Sequence, residues 1–377
     1  MSVYSSSVNI PADPDLPGTT QKTLKELARA MLKSVIGKML NCIVGMGLLV
    51  LTSGCDLSAP RPRMGTLPTP PPGPRFSNPN NLGKHSYGFN PFEENGIVYT
   101  CKAGHLDITH LRWNADYTAY AVSKIHKTLM KKGKGFSFNL ALEISTHEIS
   151  FGYPENWDNL SRNEKNRIAQ EIAFEIGPYV AFNATLWHEI LTWFGVHFVG
   201  FEPEFNSAFS WEDMYSNLIG TELAVEALKN KNHDYDTALT LAIDRKLREL
   251  DVQPKSIAMY ASEKMRDKWY KGYFLVDIIK KNVDIGLDDG HVTPVLVPGI
   301  CDGAEPEPIP VPTTDILAKY GFSMKYEILP REWEKSKILK IVFPNGNGSK
   351  IRPDRHFPVI MDYIKNEAVQ IYGYDID

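Results

Sequence analysis

The sequence predicts an α+β domain, mainly α-helical and with a small antiparallel sheet, over residues 79–377. Three observations carry that expectation. Apolar residues recur at helical spacing in several long stretches. One stretch, residues 136–151, alternates apolar and polar residues as a half-buried strand pair does. A content of 43% hydrophobic and 11% aromatic residues is ample for a buried core, where a disordered chain would be less apolar and more charged.

Residues 1–78 stand outside that domain. Residues 1–30 are polar and hold Pro11, Pro14 and Pro17, and they precede a complete export signal that starts at Met31. They read as disordered or as an upstream artefact. Lys33 and Lys38 give the signal its positive start, and Met39–Leu51 is an apolar run of 13 residues. A spanning helix needs about 20 residues, so the run fits the core of a signal peptide over 31–54. It ends in Leu51-Thr52-Ser53-Gly54-Cys55, a lipobox pattern. Small residues admit the chain to a peptidase, and the Cys55 thiol becomes the acylated group. Thr52 stands where Leu is usual. Residues 55–78 read as a tether. Seven prolines within 56–75 favour an extended spacer over a packed element. The expected address is therefore a lipid anchor facing the periplasm of a bacterial envelope, with Asp56 tilting the choice toward the inner membrane.

Within the domain, Asp107 caps a helix over 107–131, where Leu111, Ala115, Ala119, Val122, Ile125 and Leu129 keep helical spacing and Gly133 stops the chain. Phe136, Phe138, Leu140, Leu142 and Ile144 alternate as a strand, with Ile149 and Phe151 continuing it as a hairpin. Ser161 and Glu164 form a capping box for a helix to about Ile176, which Gly177-Pro178 is expected to break. A very apolar helix, Tyr179–Phe194, follows and ends at Gly195. Ser210 with Asp213 forms a second capping box, opening a helix to about Asn230. Further helices are expected at 235–250, 255–268 and 357–372, and a strand at 323–329. The six prolines of 291–312 read as a loop.

Net charge excludes one class of function. It is −4 for the chain and −6 once residues 1–54, with their five Lys/Arg and three Asp/Glu, are removed. No basic stripe interleaved with aromatics appears, so nucleic acid is not an expected partner. Lys131-Lys132-Gly133-Lys134 and Lys280-Lys281 read as short, solvated clusters. Of four cysteines, Cys42 leaves with the signal and Cys55 takes lipid, so Cys101 and Cys301 remain as an even pair. In an oxidising compartment they are expected to form a disulfide.

Three clusters carry chemistry. Asp107 and His110, three apart at a helix start, share a face, where carboxylate and imidazole suit a metal or an acid–base pair. The bland alternative is a capping Asp beside a surface His. His188-Glu189 begins the H-E-x-x-H pattern, but Thr192 occupies the second histidine position. The pair sits on a helix apolar nearly all round, so both groups must be bonded, paired or metal-bound, or else form a purely structural pair. The third cluster lies on the helix after Ser210, where Asn217 and Gly220 share a face that permits close helix approach. There Glu222 is a third acidic candidate, 34 residues after His188, against the alternative of a solvated glutamate. Together they suggest a zinc site of Asp107, His110, His188 and Glu222 with Glu189 as general base.

The segments Y-T-C-K-A-G-H-L-D-I-T-H-L-R-W, from Tyr99, and S-A-F-S-W-E-D-M-Y-S-N-L-I-G, from Ser207, resemble a bacterial lipoprotein family known only as a domain of unknown function. The resemblance implies a lipoprotein with a single domain covering most of 85–375, leaves His105 less essential than its neighbours, and brings no activity. The expected function is a metal-dependent hydrolase of envelope substrates: peptide, cell wall or lipid. Against it stand a non-catalytic envelope lipoprotein that binds or scaffolds a partner through its aromatics, and a metal-free hydrolase using His110, Asp107 and a serine. No G-x-S-x-G elbow supports the last.

Overall fold

The computed structural model describes residues 58–60, 75–88, 92–141, 143–195, 207–272 and 276–373. The export signal, Cys55, Asp56 and Leu142 lie outside the described residues, as do 1–30 and most of the tether. Cys55–Asp377 is a compact unit in itself, with its own core. A unit with its own core can fold alone.

It opens with a hairpin absent from the sequence reading. Strands β1 (Ile97–Thr100) and β2 (Gly104–Asp107) pair antiparallel, with Tyr99 opposite His105, and β5 (Val252–Gln253) adds to the other edge of β1. All eight hairpin residues are buried, so their side chains never alternate between apolar and polar. Gly104 turns the hairpin at φ +65°, and a Cβ there would meet the Val295 carbonyl oxygen at 2.2 Å. β2 runs directly into helix α1 (Ile108–Met130), whose cap is Asp107: its carboxylate accepts from the Thr109 N–H at 2.6 Å.

Strands β3 (Gly135–Phe138), β4 (Thr146–Gly152) and β10 (Ser323–Leu329) form a second antiparallel sheet in the order β10-β4-β3. The expected strand over 136–144 ends at Phe138, because residues 139–141 and 143–145 lie outside any strand, between β3 and β4. Helix α2 (Arg162–Trp193) starts at the Ser161–Glu164 capping box and runs 32 residues, straight through Gly177 and Pro178. The expected break does not occur. Pro178 costs one helical bond, but Ile176, Gly177, Pro178 and Val180 are all buried, so packing outweighs the lost bond. Gly177 is needed where it stands, since a Cβ would lie 2.4 Å from a Val122 methyl of α1.

Helix α3 (Asp213–Lys229) crosses α1 closely: a Cβ on Gly220 would sit 2.1 Å from the Leu111 carbonyl oxygen. Asp213 supplies half of the expected capping box, accepting from the Ser210 N–H at 2.8 Å, while the Ser210 hydroxyl turns instead to Glu212 at 2.9 Å. α1, α2 and α3 pack together as the centre of the main core. Helices α4 (Tyr235–Glu249), α5 (Lys255–Lys264), α6 (Asp315–Lys319), α7 (Lys335–Val342) and α8 (Pro353–Tyr372) complete the mainly helical α+β domain. Two-residue ladders pair β6 (Tyr270–Lys271) with β7 (Asp277–Ile278), and β8 (His291–Val292) with β9 (Ile309–Pro310). The last pair lies inside the stretch expected to be all loop. The Cys101 and Cys301 sulfurs stand at bonding distance, 2.00 Å, and tie the first hairpin to that stretch. Among the described residues no helix is long and apolar enough to cross a membrane.

Candidate functional site

The hairpin and three central helices bring acids and bases together inside the core. Asp107 ends β2 and caps α1; His110 is one turn further on. Asp213 opens α3, with Glu212 just before it. His188 and Glu189 lie on the last turns of α2. The starts of α1 and α3 thus meet, and the positive ends of two helices face the carboxylates they carry.

His110 Nδ1 is 3.0 Å from Asp213 Oδ1 and 3.5 Å from Asp107 Oδ2. Burial opposes a charge on this imidazole, but Asp213 first and Asp107 second more than reverse the effect and push it up to about 10. His188 Nδ1 is 2.9 Å from Glu143 Oε1, and its ring stands edge-on to Trp113. Burial again works against the cation, and the bond to Glu143 raises it. The Glu143 carboxyl, for its part, is penalised by burial but held below the usual range by His147 and His188. His188 is therefore hydrogen-bonded at Nδ1 to a buried carboxylate, which fixes its ring and makes Nε2 the basic nitrogen of its neutral form, whereas His110 Nδ1 faces Asp213 as an ion pair without hydrogen-bond geometry.

Glu189 is buried and accepts from the Phe209 N–H at 2.9 Å. Burial, then the Asp213 charge, push its carboxyl up to about 7, against the pull of His188 and His110. Glu212 is raised well above the carboxylate range by burial and by Asp213. Its Oε2, like Asp213 Oδ1, is buried without a hydrogen-bond donor. Lys281 is fully buried beside this group, 5.9 Å from the Trp193 ring centre and 5.8 Å from that of Tyr372. Burial brings its ammonium down to about 8, opposed by Asp213, Asp277, Glu189 and Glu212.

Of the residues singled out in the sequence, Asp107, His110, His188 and Glu189 come together. Glu222 does not join them: its side chain is 51% exposed and faces Lys246 at 3.8 Å. His105 is buried elsewhere, against the Ala258 carbonyl and the Trp211 indole. The sequence reading missed Glu143, Glu212, Asp213 and Lys281. Asp213 was visible only as a cap, and Lys281 was taken as solvated surface, which its complete burial corrects. Lys281 reaches the core because its backbone bridges Ser210, next to the cluster.

Leaving the Glu143–His188 pair as self-compensated, four carboxylates (Asp107, Glu189, Glu212, Asp213) face two cations (His110, Lys281) among the described residues. The excess of two negative charges can be met by two protons, as the raised carboxyls of Glu189 and Glu212 indicate, or by one divalent cation. Among the described residues no three such side chains already stand in ligating geometry, so holding a metal requires side chains to turn.

A family model described as "Protein of unknown function (DUF4056)" matches residues 78–277, just over half of the chain. The match spans the hairpin, α1 to α5 and every cluster residue except Lys281, and it stops well short of residue 375. No curated protein and no solved structure matches the chain.

Proposed function

Since the chain belongs to the DUF4056 family, whose description names no activity, we propose a function from the site alone: a metal-dependent hydrolase. The observation that carries the reading is the buried surplus of acids over bases among the described residues, beside two imidazoles, one hydrogen-bonded to Glu143 and one paired with Asp213. Carboxylate oxygens and imidazole nitrogens are the donor set of zinc, and Glu212 Oε2 and Asp213 Oδ1 are buried atoms lacking a donor, so the residues fit such an ion. His110, His188, Glu212 and Asp213 would hold it, with Asp107 steering His110. The ion would supply Lewis-acid polarisation of a carbonyl or phosphoryl oxygen and make water more acidic. Glu189, with a carboxyl near neutrality, is matched to accept the proton of the attacking water and return it to the leaving group. In this reading Glu222 has no place, and Glu212 and Asp213 take over the part first given to it. The proposed setting is the periplasmic face of a membrane, reached through acylated Cys55, with envelope material as substrate.

Titration calorimetry of zinc into the chelator-treated chain, in two buffers of different ionisation enthalpy, tests the charge argument. One ion should bind per chain and release protons near pH 6.5: the one His110 must lose to ligate, and those given up by the raised carboxyls of Glu189 and Glu212. Binding without proton release, or none, would overturn the reading.

A further inference from the structure

We propose that the face built by α7, α8 and the end of α2 is a docking surface for anionic phospholipid bilayers. It rests on observations separate from the hydrolytic site. An open groove of about 830 Å³ has Trp193, Phe194, Ile341, Tyr363 and Ile371 as its apolar walls, with Lys337 and Lys340 among the lining residues. The one acid among the described lining residues, Glu367, is already engaged, accepting from the Trp193 indole at 2.7 Å and the Tyr363 hydroxyl at 3.2 Å. Lys337 is steadied by the Phe194 carbonyl at 3.3 Å, and Lys340 has no acidic partner among the described residues.

Two residues before α7, Trp333 is 94% exposed, the most exposed large apolar side chain among the described residues. It is not presented by a loose loop. Its neighbour Glu332 is buried and accepts from the Ser145 N–H at 2.8 Å and the Ile144 N–H at 3.2 Å, which pins the backbone where Trp333 projects. Arg331 and Lys335 flank it, both exposed and without an ion pair among the described residues. Among the described residues, Arg331, Lys335, Lys337 and Lys340 outnumber Glu334 and the engaged Glu367 around this indole and groove, and such an excess matches the headgroup region of an anionic leaflet, where tryptophan and lysine each find their medium.

The test uses the compact unit from residue 55 onward with Cys55→Ser, so no acyl chain contributes. Vesicles of phosphatidylcholine with and without about 30% phosphatidylglycerol are sedimented with it. The parent should partition onto the anionic vesicles, less so at high salt, and not onto neutral ones. Each lysine is worth roughly fivefold at such a surface, so Lys337→Glu with Lys340→Glu should weaken partition at least about 25-fold. Trp333→Ala should weaken it as well. All three positions are exposed or at the groove, and an unchanged circular dichroism spectrum verifies the fold. Absence of binding, equal binding to neutral vesicles, or indifference to these substitutions would overturn the proposal. A dimer in solution that the lysine reversals dissolve, with no vesicle binding, would overturn it in favour of a second copy of the chain.

Discussion

Replacing His110 by Gln should destabilise the domain, and the loss should shrink in alkali. In the folded chain the imidazole is pushed up to about 10 from an ordinary 6.5, chiefly by Asp213 working against burial. At about 1.4 kcal/mol per pH unit the rise corresponds to a ceiling of roughly 5 kcal/mol. The side chain is only 13% exposed, so solvent screens little of it, but the desolvation the buried pair already carries offsets part of the gain. A net loss of about 3 kcal/mol at pH 7 follows, typical of breaking a buried pair by taking one partner. The sign is fixed by linkage. A group whose folded pKa lies above its unfolded one stabilises fully below pH 6.5, and that stabilisation fades as pH rises through about 10. Urea unfolding of parent and variant in chelator, at pH 6, 7 and 10, reads it directly. Equal differences at pH 6 and pH 10, or a difference under 1 kcal/mol at pH 7, would refute the ion-pair geometry.

Three further outcomes follow from the packing. Replacing Cys101 and Cys301 by Ser removes a cross-link across 200 residues and should cost about 5 kcal/mol in the chain-entropy account, seen as a lower urea midpoint; a change below 1 kcal/mol would contradict it. Gly220→Ala forces a methyl against the Leu111 carbonyl, where backbone must move, and should cost about 2–3 kcal/mol, while Gly346→Ala meets no atom within 4 Å and pays only for its left-handed φ of +74°. Glu222→Gln, on the exposed face of α3, should leave zinc affinity and stability unchanged within about 0.5 kcal/mol; a tenfold loss of affinity would restore Glu222 as a ligand.

The helices were the legible part of the fold. Asp107 and Ser161 announce α1 and α2 because a cap is a local property of the chain. Gly177-Pro178 misled because the cost of a proline is local while the burial that outweighs it is not. The first hairpin was hidden because its strands, Ile97–Thr100 and Gly104–Asp107, are buried on both faces and show no period of two. In the site, Asp107 with His110 could be seen from three-residue spacing, and His188 with Glu189 from an apolar helix that has to satisfy them. Glu143 and Lys281 could not be seen, since a glutamate in a turn and a lysine beside another lysine look like surface until tertiary contacts bury them. Asp213 was legible as a residue but not as a partner, because its distance to His110 is set by the close crossing of α1 and α3 at Gly220.

The most direct test of the central claim is elemental analysis of the purified compact unit, residues 55–377, produced in the periplasm without added metal. The double variant His110→Ala, His188→Ala is analysed beside it. The account predicts close to one zinc per chain in the parent and none in a variant that still folds. No metal in either, even after zinc is supplied, or equal metal in both, would contradict it.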